Sequence, residues 1–158
     1  MLNPRDLLRR LMIYYASDHE LLCPYQLGDT IYDVYAAYRQ FNCFEYAFIR
    51  STLNLPQKDI LHFKEQLTSI VEPQMVCKGE VSPPSSHIYT YMTGIFISEQ
   101  KITDDVRRTI RRFRYYKGYG YYKSGYCQAR IAAFDMETGS LIINPAAKEL
   151  LLEYQRIL

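Results

Sequence analysis

Between Lys101 and Arg130 the chain sets Lys101, Arg107, Arg108, Arg111, Arg112, Arg114, Lys117, Lys123 and Arg130 against only Asp104 and Asp105, a local +7 in a protein of formal charge +2. The remainder therefore sums to −5, and the charge is strongly segregated along the chain. Tyr115, Tyr116, Tyr119, Tyr121, Tyr122 and Tyr126 stand among these cations, around Gly118, Gly120 and Gly125. Guanidinium and ammonium groups pair with phosphate oxygens, and flat rings stack on bases, so the stretch holds the ingredients of a surface for single strands or nucleic-acid backbone. Arg and Tyr also recur where proteins meet, and the same stretch could dock an acidic partner. The plainer alternative is a solvated basic helix followed by a loop whose rings cover the core.

Two elements must position these groups. Thr103 can cap a helix whose first turn carries Asp104 and Asp105, where carboxylates suit the positive end of the helix dipole. Ile102, Val106, Ile110 and Phe113 then form an apolar stripe at helical spacing, flanked by arginines. The glycines end that helix and open the tyrosine loop. Downstream, Gln128 to Asp135 and Ser140 to Ile143 flank Met136-Glu137-Thr138-Gly139 and read as a hairpin, and Asn144-Pro145 opens a last helix with Ala147, Leu150, Leu151 and Tyr154 inward.

Catalysis finds little support. His19, His62 and His87 are the histidines, and none sits in a nucleophile, metal-hydrolase or phosphate-loop motif. His19 and Cys23 have the spacing of a metal pair, but no second pair completes a zinc set. The expectation is a protein without catalytic residues, metal or cofactor. Cys23, Cys43, Cys77 and Cys127 are scattered, with no CxxC pair, and read as reduced thiols of a cytoplasmic protein. The N-terminal run is broken by Arg5, Asp6, Arg9 and Arg10, which fits neither a signal peptide nor a membrane span. It reads instead as a helix capped by Asn3, with Leu7, Leu8, Leu11, Met12 and Tyr15 packing on the next module or on a second copy in a homodimer.

Residues 29 to 78 carry the second signal. Ile31, Val34, Tyr35 and Tyr38 suggest a helix from Thr30 to Gln40, and Phe44 to Leu53 continues the apolar periodicity. Leu53-Asn54-Leu55-Pro56 then leads into Gln57 to Ile70, with Ile60, Phe63, Leu67 and Ile70 on one face. Val71 to Glu80 and Ser86 to Ile97 flank a turn-rich Val81 to Ser85. Residues 30–97 thus resemble winged helix-turn-helix domains, in which a Leu-x-Leu turn precedes the recognition helix. The resemblance implies that Gln57, Lys58 and His62 face base edges while phosphate contacts come from the Arg/Tyr segment through Arg107, Arg108, Arg111, Arg112, Arg114, Lys117, Tyr119, Tyr121, Tyr122 and Lys123. Asn54 stands where such turns often have Gly, and the net acidity of residues 26–75 leaves room for a protein-contact role.

The expected fold class is α+β. Residues 1–97 would form an N-terminal helix plus a winged-helix-like helical module, and residues 98–158 a small half of basic helix, Tyr/Gly loop, hairpin and C-terminal helix. The expected function is a nucleic-acid-binding regulator, with DNA ahead of RNA; the alternative is an adaptor or inhibitor that docks an acidic protein.

Overall fold

A computed structural model describes residues 2–121 and 123–158. The elements run α1 (Pro4–Ala16), β1 (Glu20–Leu22), β2 (Tyr25–Leu27), β3 (Thr30–Tyr32), β4 (Val34–Gln40), β5 (Cys43–Thr52), α2 (Gln57–Gln66), a π-helical continuation (Leu67–Val76), β6 (Tyr89–Ser98), α3 (Asp104–Arg112), β7 (Tyr116–Gly118), β8 (Tyr126–Asp135), β9 (Ser140–Ile143), a 3-10 segment (Pro145–Leu150) and α4 (Leu151–Ile157). Among the described residues, seven strands make one mixed sheet in the order β1-β4-β5-β6-β8-β7, with β9 also on β8. β5, β6 and β8 run parallel, joined by α2 with its continuation and by α3; the outer pairings are antiparallel. Parallel neighbours need such helical crossovers, because a tight turn cannot return the chain to the same end of the sheet.

This architecture overturns the α+β expectation of a winged-helix-like helical half joined to a helix, hairpin and helix half. Residues 30–53, expected as two helices, are β3, β4 and β5. The apolar residues there satisfy helical spacing, but the segment is also dense in Ile, Val, Tyr and Phe. Strands buried on both faces read as near-continuous apolar runs that periodicity cannot tell from a helix. Residues 71–76 are π-helical rather than the first strand of a wing. The sheet also passes unbroken across position 97, since β6 pairs along its length with β5 and β8.

Helices cover the two faces unequally. On one, Ile60, Phe63, Leu67 and Val71 with Val106, Ile110 and Phe113 pack over Tyr35, Phe48, Met92, Phe96, Ile131 and Ala133. On the other, Leu7, Leu11, Tyr15, Leu150 and Tyr154 pack over Val34, Ala47, Ile49, Ile95, Ile97, Ala132 and Phe134. The second cover is only half a sheet long. β6 and β8, in register from Tyr89↔Tyr126, both alternate between half-buried and buried for four residues and are then buried on both faces to their ends. The N-terminal ends of the parallel strands are therefore open on the side of α1 and α4.

Candidate functional site

The open half-face is built by period two. Side chains two apart on a strand share a face, so Tyr89, Tyr91 and Thr93 on β6 stand beside Tyr126, Gln128 and Arg130 on β8. Tyr116 of β7 lies opposite Gln128, and Tyr38 of β4 opposite Glu45 of β5. The rings touch one another: Tyr89 and Tyr91 have centroids 4.5 Å apart, Tyr89 and Tyr126 are stacked at 6.2 Å, and Tyr116 and Tyr126 are stacked at 5.4 Å. Ring quadrupoles favour such offset and edge-on pairs: Tyr126 lies near parallel to Tyr89 and Tyr116, while Tyr91 meets Tyr89 at 41° and Tyr126 at 70°.

Where α1 and α4 begin to cover the sheet, the platform ends in a charged cluster. Glu45 accepts from Arg130 and, at 2.6 Å, from Thr93 through the same oxygen, while its other oxygen lies 2.7 Å from His19 Nε2. His19 Nδ1 faces Asp18 at 2.6 Å, so both ring nitrogens point at carboxylates. Burial opposes charge on His19, but the hydrogen bonds to Glu45 and Asp18 outweigh it and raise its pKa. Burial likewise works to raise the pKa of Glu45, yet His19, Arg130 and Thr93 hold it below the ordinary carboxylate value. A cleft of about 260 Å³ opens over this cluster, walled by Tyr38, Tyr89 and Tyr91 and bordered by Asp18 and Glu149. Among the described residues, no three His, Cys, Asp or Glu side chains are arranged to hold a metal ion, and no helix is long and apolar enough to cross a membrane.

A family model described as a domain of unknown function, DUF8052, matches residues 30–156. The chain belongs to the DUF8052 family. No curated protein and no solved structure matches it. The matched span takes in Tyr38, Glu45, Tyr89, Tyr91, Tyr126, Arg130 and Glu149, whereas Asp18 and His19 precede it.

The residues singled out from sequence do not form one cluster in this DUF8052 chain. Gln57, at the start of α2, donates to Thr109 on α3 at 3.0 Å and ties the two helices. Lys58 and His62 border a groove with Asp29, Asp59 and Glu65, and His62 Nε2 lies 2.7 Å from Asp29, so these surroundings are acidic. Arg107 is a latch: it donates to Asp135 at 2.5 Å and to the Ile102 carbonyl at 2.9 Å. Arg108 pairs with Asp105 in solvent. Arg111 and Arg112 are exposed with no carboxylate partner among the described residues, and Arg114 donates to the Arg111 and Phe113 carbonyls.

Lys117 and Tyr119 turn to the other face, where both donate to Glu72, at 3.0 and 2.7 Å. Tyr119 is only 3% exposed, which removes it from any contact surface. Tyr116 (50%) and Tyr121 (97%) are open, as is Lys123, while Tyr122 lies outside the described residues. Sequence reasoning missed the platform itself. Its signal was the period-two alternation Tyr89-x-Tyr91-x-Thr93 and Tyr126-x-Gln128-x-Arg130, spread over two strands.

Proposed function

We propose that this protein is a non-enzymatic module that binds single-stranded nucleic acid, with bases lying on Tyr89, Tyr91, Tyr126 and Tyr116 and phosphates meeting Arg111, Arg112, Arg114 and Lys123. The observation that carries the reading is the matched opening of β6 and β8, which leaves a contiguous array of tyrosine rings on a sheet face beside an edge bearing exposed cations. Sheet-borne aromatic rings that stack successive bases are a recurrent way to hold a single strand, since every base has a π-face. Arg111 and Arg112 end α3, which packs on the opposite face of the sheet, and Arg114 follows two residues before β7, so these cations stand on the segment that leads into the β7 edge. Both oxygens of Glu45 are engaged, which favours a fixed scaffold over proton transfer. Four free thiols suit a reducing compartment, and we place the protein in the cytoplasm.

The test is a fluorescence-anisotropy titration with a labelled single-stranded oligonucleotide over a range of salt. Affinity should fall with salt, and Arg111→Ala with Arg112→Ala should flatten the log–log slope by about 1.4 units if each residue meets a phosphate. Tyr89→Ala should weaken binding by about 1–3 kcal/mol. No binding at about 50 mM salt, where phosphate contacts are little screened, ends the reading.

A second reading, an adaptor docking an acidic protein, is favoured by Phe41 (84% exposed), Ile88 and Tyr121, which rim the same end of the sheet. The Ile88 amide donates to the Asn42 carbonyl, and a Cβ at Gly125 would stand 2.0 Å from the Ile88 carbonyl oxygen, so the three turns abut. Exposed apolar area of this kind marks protein contacts. Tight binding of an acidic protein by a chain that ignores oligonucleotides would select this reading.

A further inference from the structure

The cleft at the inner end of the tyrosine face differs in character from the edge that carries the arginines. Its two cationic groups are already matched: Arg130 pairs with Glu45 and lies over Tyr91, and His19 sits between Glu45 and Asp18. Asp18 engages His19 through one oxygen only, and Glu149 has no hydrogen-bond or ion-pair partner among the described residues. A group entering the cleft therefore meets ring faces and vacant carboxylate lone pairs. Phosphate is repelled there, while a flat heterocycle that presents N–H donors is attracted.

The nucleobases differ on this point. Uracil and thymine offer one N–H between two carbonyls, which a carboxylate repels. Cytosine and adenine offer one amino group beside an acceptor nitrogen. Guanine alone carries two adjacent donors, N1–H and N2–H₂, spaced to match the two oxygens of a carboxylate in the same fork geometry that arginine uses. We infer that the cleft reads guanine in a single strand, with Glu149 accepting from N1–H and N2–H₂ while Tyr89 and Tyr38 flank the ring. This rests on the nucleic-acid reading above and adds a base specificity to it. It also sets the orientation of the base, whose Watson–Crick edge points inward to the carboxylates.

The experiment compares three short oligouridine strands whose central nucleotide is guanosine, inosine or uridine, titrated against the full chain and against Glu149→Gln. Inosine keeps N1–H and lacks the 2-amino group, so it removes one donor without changing the stacking surface. The guanosine strand should bind at least about fivefold more tightly than the inosine strand, as a bidentate base contact implies. That preference should vanish in Glu149→Gln, which replaces an acceptor oxygen by a donor and should fold normally because Glu149 is exposed. Equal affinity for all three strands, with Tyr89→Ala still weakening each, overturns the guanine assignment and leaves the stacking platform standing. A preference that survives Glu149→Gln overturns the role of Glu149. Displacement of the strand by arginine amide with no response to guanosine overturns the inference in favour of a cation site, and failure to bind any strand removes the nucleic-acid reading as well.

Discussion

The guanidinium of Arg130 lies over the ring of Tyr91, 4.1 Å from its centroid, and at the same time pairs with Glu45, so one buried cation fixes both the inner end of the tyrosine platform and the floor of the cleft. Burial opposes charge on Arg130, and Glu45 offsets that penalty. Taking away Glu45 leaves Arg130 buried without a carboxylate, and taking away Arg130 leaves Glu45 with only His19 and Thr93 to offset its burial. Arg130→Met or Glu45→Leu should therefore each cost about 3–5 kcal/mol by chemical denaturation, whereas the two together should cost clearly less than the sum. Additive losses would mean that the pair is not coupled.

His19 gives the cluster a pH signature. It faces Asp18 and Glu45, with Tyr15 at 4.9 Å, Tyr38 at 5.5 Å and Arg130 behind Glu45. Its folded pKa is raised above the ordinary 6.5, so its contribution is fully present below 6.5 and is lost as pH rises through the folded pKa. His62 is raised by its hydrogen bond to Asp29 and adds a weaker term of the same sign from the surface, while burial lowers His87 and gives the opposite sign. Melting temperature should thus fall more between mildly acidic and mildly alkaline pH in the parent than in His19→Gln. Identical pH profiles would show that His19 is not charged in the fold.

Gly94 sits under the ring of Phe63, where an added Cβ would lie 2.7 Å from the ring edge. Gly94→Ala should force the ring or helix α2 to move and cost about 1–3 kcal/mol, and Phe63→Ala, which empties a fully buried site, about 3–5 kcal/mol. Thermal melts decide both. A neutral Gly94→Ala would mean that α2 stands further from the sheet.

Much of this fold was legible where signals are local. The Asn3 cap of α1 accepts from the Asp6 amide at 2.9 Å, α3 starts after Thr103 where its apolar stripe places it, and β8 and β9 form the hairpin read from the turn at Met136 to Gly139. The end of α3 was not legible: it stops at Arg112, where Phe113 turns extended, and the chain enters β7 before it reaches the glycines expected to end the helix, while Thr103 makes no side-chain cap hydrogen bond. β4 and β5 were not legible, because Tyr35, Ala37, Tyr46 and Phe48 are buried on one face while Val34, Ala36, Ala47 and Ile49 are buried on the other, which erases the alternation that marks a strand. The site was hidden for a related reason. Tyrosines are densest over residues 115–126, yet the platform draws one or two rings from each of several strands brought together only by pairing. His19, Glu45 and Arg130 meet across 26 and 85 residues, a separation that no local pattern records.

Phe41 and Asn42 form the two-residue turn between β4 and β5, with φ of 56° and 62°. Such turns want Asn or Gly at both positions, and a bulky residue there is strained. Since the Phe41 ring is exposed, Phe41→Asn should stabilise the protein by about 0.5–1 kcal/mol, read as a raised melting temperature. A lowered melting temperature would mean that the ring packs in solution.

The most direct test of the stacking platform is an NMR titration of protein carrying ¹³C-labelled tyrosine rings with a short single-stranded oligonucleotide. The ring signals of Tyr89, Tyr91, Tyr116 and Tyr126 should shift upfield together as bases stack on them, while those of the buried Tyr32, Tyr119 and Tyr154 stay in place. Shifts confined to Tyr121, or no shift in any ring when binding is saturated, would contradict a base-stacking sheet face.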